Sequence, residues 1–190
     1  IPPIALASAS PRRRDLLGQI GIKPVAIIPA NIDETPHRLE PPSCYALRMA
    51  HEKAFAASLS DDIKPSVVVL AGDTVVAVGR RILPKAETED QARSCLALLS
   101  GRRHRVYGGI TLRLADGTIR SRLVTSSVIF KRLHCDEIDA YLATGDWHGK
   151  AGGYAIQGSA AAYIRHIEGS YSNIVGLSLY DVSALLATLG

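Results

Sequence analysis

Cysteine is scarce in this chain. Cys44, Cys95 and Cys135 are an odd number, lie far apart and share no metal-ligand spacing, so the sequence carries neither a disulfide framework nor a zinc-finger pattern. They read as reduced thiols. The six histidines form no HExxH or related pattern, which argues against a zinc site. Long apolar runs are also missing: none reaches the roughly 18 residues that span a bilayer, and the first residues do not resemble a secretory signal. A cytoplasmic protein without a membrane partner is expected. The absence of a GxxxxGK(S/T) loop and of a GxGxxG fingerprint counts against P-loop and dinucleotide-binding mechanisms. No internal repeat, low-complexity tract or linker interrupts the chain.

What is present fits a folded globular protein. The 190 residues are 47% hydrophobic and 21% charged, enough for a large core and for a single domain over residues 1–190. A formal charge of +4 points to an anionic partner, without saying whether it is a nucleotide or a polymer.

The stretch from Ile4 to Leu17, IALASASPRRRDLL, organises the rest. Ile4 to Ala7 reads as a short buried strand, and Asp15-Leu16-Leu17 opens an amphipathic segment running to about Gly21. Between them a loop carries Ser8, Ser10, Pro11 and three successive arginines, Arg12, Arg13 and Arg14. A loop entering a helix offers unpaired N–H groups and the positive end of the helix dipole, so added arginines make a cradle for phosphate oxygens. A solvated basic turn is the alternative, but cations at a helix start are disfavoured unless an anion joins them.

Strands and helices then alternate. Pro24 to Ile28 predicts a second strand leading into the polar segment Asn31 to Thr35. A helix follows with Ser43 as N-cap and Tyr45, Leu47, Ala50 and Ala54 buried, and Lys53 near its end. Ser66 to Ala71 predicts a central strand that breaks at Gly72-Asp73-Thr74 and resumes as Val75 to Val78. An aspartate there is costly unless its carboxylate has a partner, which singles out Asp73. The loop RRILPKA presents Lys85, and Thr88 to Gln91 has the form of a capping box for a helix ending at Ser100-Gly101. Arg105 to Leu114 and Ser121 to Phe130 alternate around an Asp116-Gly117 turn and predict a long hairpin. Its basic outer face, including Arg102, Arg103, Arg120 and Arg122, reads as solvated rather than as a nucleic-acid surface. A short helix from Asp136 to Ala143 stops at Gly145. The glycine-dense segment Gly149 to Gly158 suggests close backbone approach; Ala160 to Ile167 reads as a strand and Gly169 to Gly176 as a loop, and Ser178 caps a final helix.

Asp73, the Asp33-Glu34 pair, Lys53, Lys85 and the arginine cluster are together the parts needed for metal-assisted attack on a polyphosphate. A Mg²⁺ ion takes one or two carboxylates and fills its shell with phosphate oxygens and waters. A nearby carboxylate can position or deprotonate the attacking water.

The runs LASASPRRRDLL, GDTVV, LLSGRRHRVYGGITL, GKAGGYAIQG and GSYSNIVGLSL occur in the order and spacing of the Maf family, nucleotide pyrophosphatases once described as septum formation inhibitors. The chain resembles that family over essentially its whole length. The resemblance implies an α/β fold of the Maf/inosine triphosphatase-like kind: a long, mixed, strongly twisted β-sheet flanked by helices, with two lobes around a central cleft. It implies hydrolysis of a nucleoside triphosphate to monophosphate and pyrophosphate, a divalent cation (Mg²⁺ or Mn²⁺) as cofactor, and a homodimer. By the same resemblance Asp73 is the general base, with Lys53 and Lys85 assisting. Ser8, Arg12 and Arg13 line the phosphate region, Glu34 and Asp73 hold the metal, and Arg12, Thr74 and Gln157 select the base.

Pro11 in SPRR and the selector residues point to the branch acting on dTTP and UTP. The Gln157 amide offers a donor and an acceptor that match the O4 and N3–H edge of thymine or uracil. The related 7-methyl-GTP branch, and a non-catalytic nucleotide- or nucleic-acid-binding regulator of septum formation, are the alternatives. House-cleaning of noncanonical nucleotides and control of division are both compatible with the sequence. Three positions depart from the family pattern: Ala86 follows Lys85 where a proline is usual, Gly149 precedes Lys150 where an aspartate is common, and Gly72 stands before Asp73 where alanine is common.

Overall fold

The computed structural model of the chain describes residues 2–189. Its strands are β1 (Ile4–Leu6), β2 (Ala26–Ile27), β3 (Val68–Val78), β4 (Arg81–Leu83), β5 (Arg103–Arg113), β6 (Ile119–Phe130) and β7 (Ile164–Glu168). They form one mixed sheet in the order β2-β1-β3-β5-β6-β7, with β4 also paired to β3. The β2-β1-β3 part is parallel and the remainder antiparallel. Parallel neighbours need long crossovers. Helices α1 (Pro11–Gln19) and α2 (Pro42–Ser58) supply them. The other helices are α3 (Glu89–Leu99), α4 (Cys135–Thr144), α5 (Tyr171–Val175) and α6 (Leu179–Ala187). Among the described residues no helix is long and apolar enough to cross a membrane.

Several expectations hold in detail. Thr88 and Gln91 form the reciprocal capping box of α3, and Gly101 follows that helix with φ +67°. The β5–β6 hairpin turns at Asp116-Gly117, and Ser178 caps α6 by accepting from the Asp181 N–H. Others need correction. Helix α1 starts at Pro11, whose fixed φ and missing N–H suit the first helical position, so the arginines lie in its first turn and not in a preceding loop. Helix α2 starts at Pro42 for the same reason, with Pro41 and not Ser43 as N-cap; Met49 is fully buried, while Leu47 is only partly so. Strand β4 forms inside the expected loop RRILPKA. Residues 159–163 make a 3₁₀ turn before the strand begins at Ile164, and the expected loop from Gly169 to Gly176 contains α5.

The correction that matters most concerns β3, which runs unbroken through Gly72-Asp73-Thr74. Strand alternation explains why it does. Val69, Ala71, Val75 and Ala77 face α2 and pack against its small and apolar residues, while Val68, Leu70 and Val76 face the other side. Asp73 therefore occupies a core position on the α2 face and Thr74 the opposite face. Gly109 on β5 lets the helix approach: a Cβ there would lie 2.7 Å from the Ala46 carbonyl carbon and nearer still to its oxygen.

Register also leaves a gap. β1 covers β3 at residues 68–70 and β4 covers it at residues 76–78, both on the edge away from β5. Among the described residues no strand pairs with residues 71–75 on that edge. The break lies just past the carboxyl end of β1, where open α/β sheets hold their ligands.

Candidate active site

A cleft of about 270 Å³ opens at this gap, and a second hollow of about 330 Å³ adjoins it, sharing Glu34, Thr74, Lys85 and Ala151. Ser8, Arg12, Arg13, Glu34, Lys53, Thr74, Lys85 and Gln157 line the first, and Asp73 lines the second. The structure thus brings together all nine residues given a site role by the family resemblance, but not Asp33 or Arg14.

Four of them form a chain of ion pairs. Lys53 Nζ donates to Asp73 Oδ1 at 2.6 Å and meets Glu34 Oε1 at 2.8 Å, and Lys85 Nζ donates to Glu34 Oε2 at 2.8 Å. The arrangement follows from local structure. Residues 42, 45, 46, 49, 50, 53, 54 and 57 form the buried stripe of α2, so Lys53 is a lysine at a core position facing an aspartate at a core position. Lys53 is 6% exposed and Asp73 3%. Breaking such a pair would strand a buried charge, so neither side chain is a solvated surface group. Glu34 sits in irregular chain after β2, where its carbonyl accepts the Tyr45 hydroxyl at 2.6 Å.

Arg13 does something different. Its Nε donates to the Gly176 carbonyl at 2.9 Å, Nη1 to Ser8 Oγ at 3.0 Å and Nη2 to Thr74 Oγ1 at 3.1 Å. One guanidinium thereby joins the β1–α1 connection, β3 and the turn after α5. Burial pushes its pKa down, against the opposing charges of Asp73 and Glu34. Gly72 gives the guanidinium room, since a Cβ there would stand 3.3 Å from Arg13 Nε and 3.1 Å from Leu177 Cδ1, close enough that those side chains would shift by a few tenths of an ångström. Arg12 anchors only its Nε, to the Val175 carbonyl at 3.2 Å. Arg14 is exposed and near Asp15, and Asp33 is exposed and bonds the Thr35 N–H; neither lines the cleft.

Burial raises the Glu34 carboxyl pKa, but hydrogen bonds and charge from Lys53 and Lys85 outweigh it and hold the group at about 2. A carboxylate depressed in the folded state stabilises the fold above its unfolded pKa, near ~4.3, and that contribution is lost as pH falls through about 2. We therefore expect the urea midpoint of the wild type to fall faster than that of Glu34→Gln between about pH 5 and about pH 2. The Glu34 side chain is 37% exposed, so solvent screening keeps the difference small. Parallel pH curves would show that the pairing carries no folding energy.

Among the described residues no three His, Cys, Asp or Glu side chains gather as a metal site. Glu34 and Asp73 meet at one ammonium group and are of the donor type that a hard cation takes, one or two carboxylates with phosphate and water completing the shell.

Sequence reasoning missed Lys150 and the turn after α5. Lys150 lines the cleft beside Gly149 and Ala151, and the Val175 and Gly176 carbonyls receive the two arginines. Helix α5 is too short to show a period. Lys150 had a signal, a lone lysine among glycines.

Fold and site together define an α/β protein with a cationic cleft over a buried carboxylate–ammonium pair, a site for a polyanionic small molecule. The chain belongs to the Maf family: the profile described as Maf-like protein matches residues 3–189. It is 60% identical over 187 residues to a dTTP/UTP pyrophosphatase of Paramagnetospirillum magneticum, covering 98% of this chain and 97% of that one. It is 57% identical over 188 residues to the dTTP/UTP pyrophosphatase of Rhodospirillum rubrum, covering 99% and 88%. Among solved structures, a HAM1 protein from Coxiella burnetii matches with a TM-score of 0.53 at 17% identity, over 99% of this chain and all of the other. That likeness extends to the fold alone.

Proposed function

We infer that this protein hydrolyses dTTP and UTP to the monophosphate and pyrophosphate, with residues 1–190 acting as one Maf-type unit. The observation that carries the reading is the Asp73–Lys53–Glu34–Lys85 chain, set at the sheet gap and facing a cleft with arginines on its other side. The relatives' shared name supplies the substrate class.

In this reading a water attacks the α-phosphorus. Its oxygen forms a bond to phosphorus as the bond to the bridging oxygen toward the β-phosphorus breaks, and pyrophosphate leaves. Asp73 takes the proton from the water, and Lys53 fixes the orientation of that carboxylate by holding Oδ1. Lys85 and Arg12 neutralise phosphate oxygens, Arg13 and Ser8 hold the cleft wall, and Thr74 and Gln157 contact the nucleoside end. Gln157 is exposed at the cleft, and its amide can pair with O4 and N3–H of thymine or uracil. Glu34 and Asp73 would hold a divalent cation, Mg²⁺ or Mn²⁺, which when bound withdraws charge from phosphate oxygens.

The test is incubation with Mg²⁺ and, separately, dTTP, UTP, CTP, GTP and 7-methyl-GTP, with ³¹P NMR to separate pyrophosphate from single phosphate. Pyrophosphate release favouring dTTP and UTP is expected. Preference for 7-methyl-GTP would keep the reaction and overturn the base selection expected of Arg12, Thr74 and Gln157. No release with any nucleotide, in Mg²⁺ or Mn²⁺, would overturn the enzyme reading in favour of a binding protein.

A further inference from the structure

We propose that Lys150 is a phosphate-binding residue of the cleft, opposing Arg12 across the triphosphate chain. The proposal rests on the nucleotide reading of this cleft and adds a residue to it.

The backbone places Lys150 there. Ala86 N–H donates to the Lys150 carbonyl at 3.1 Å, Gly149 N–H to the Ala86 carbonyl at 2.8 Å, and Gly152 N–H to the Pro84 carbonyl at 3.0 Å. Lys85 and Ala151 form an antiparallel bridge within this zipper. The glycine-dense segment is therefore stitched to the strand end that carries Lys85, and both lysines line one cleft. Gly149 and Gly152 have φ values of +66° and +70°, which lets the chain turn tightly on each side of Lys150.

The cations of the cleft then divide by what they already hold. Lys53 is held between Glu34 and Asp73, while Lys85 meets Glu34 alone and keeps donors for phosphate. Arg13 uses all three of its nitrogens on protein oxygens. Lys150 is half-buried, and its Nζ donates to the His148 carbonyl at 3.2 Å, leaving donors to spare. Among the described residues no carboxylate lies within ion-pair distance of Lys150 or Arg12. Burial first, and the charge of Arg12 second, lower the Lys150 pKa, against Asp146. Two cations that disfavour each other in a part-buried cleft gain most from an anion between them. Across the two hollows five cations, Arg12, Arg13, Lys53, Lys85 and Lys150, face two carboxylates, Glu34 and Asp73, an excess suited to a triphosphate and excessive for a monoanion.

The test measures binding of inorganic tripolyphosphate, in metal-free buffer by calorimetry, to wild type, Lys150→Gln and Lys150→Arg, with the remote Lys64→Gln as a control for general charge. Lys150→Gln is expected to weaken binding about 10- to 100-fold, the value of one charge-assisted hydrogen bond, and to raise KM for dTTP by a similar factor with less effect on kcat. Lys150→Arg should recover most of the loss, and Lys64→Gln should change little. Matching thermal midpoints will show that the variants fold alike. Wild-type affinity in Lys150→Gln, or an equal loss in Lys64→Gln, overturns the proposal. Loss on Lys150→Gln with recovery by arginine sustains it even if the wild type turns over no nucleotide, so failure of the enzymatic reading is read separately.

Discussion

Asp73→Asn is expected to lower dTTP turnover by roughly 10²- to 10⁴-fold while nucleotide still binds. The substitution keeps the shape of the side chain and removes its ability to accept the proton of water. Lys53 keeps its contact with Glu34 Oε1, so the variant does not leave an ammonium group buried alone. Neither Arg12 nor Lys85 touches Asp73, which is why binding should outlast turnover. Single-turnover hydrolysis, together with affinity for an analogue that cannot be cleaved between the α- and β-phosphates, separates the two effects. A folded variant with wild-type turnover would take Asp73 out of the mechanism and leave the Lys53 pair as architecture.

The largest expected effect on stability comes from Gly109→Ala. The added methyl would press on the backbone carbonyl of Ala46, inside a helix that cannot shift one residue without moving its whole buried stripe. The Ala50 Cβ, at 3.1 Å, blocks the other direction. Overpacking of this kind costs about 3 kcal/mol or more. For a chain of this size that lowers Tm by roughly 6 to 12 °C. Gly18→Ala, at an exposed position of α1, meets nothing within 4 Å and serves as the control, with a gain of up to about 1 kcal/mol expected from helix propensity. Equal midpoints for Gly109→Ala and wild type would mean that α2 sits less tightly on β5 than described. Because Lys53 rides on the same helix, a partly folded Gly109→Ala protein should also lose activity.

Much of the site was legible because the sequence violates local rules there. Asp73 stood out as a charge inside an apolar run, and the arginines as cations at the wrong end of a helix. Lys53 was harder to place from the sequence, because near a helix end it reads as an ordinary dipole partner. Only the full stripe through Tyr45, Met49 and Ala57 shows that its face is buried. The strand break expected at Gly72-Asp73 did not occur, because the carboxylate finds Lys53 on α2, a tertiary partner that periodicity along the strand cannot reveal. Helix α5 has five residues, too few for a helical period. The zipper that presents Lys150 depends on pairing between segments distant in sequence, and nothing local announces it.

The arginine seats impose an order on assembly. Arg12 and Arg13 each donate to a carbonyl 163 residues further along the chain, at Val175 and Gly176. Residues up to Lys85 contain the whole carboxylate–ammonium chain, yet the wall facing it is held by groups that leave the ribosome near the end of synthesis. Contacts of such separation close late, after the loop entropy between them has been overcome. A growing chain thus holds the carboxylate–ammonium side of its cleft well before the arginine-bearing wall is seated, and the cleft is complete only when its two ends meet.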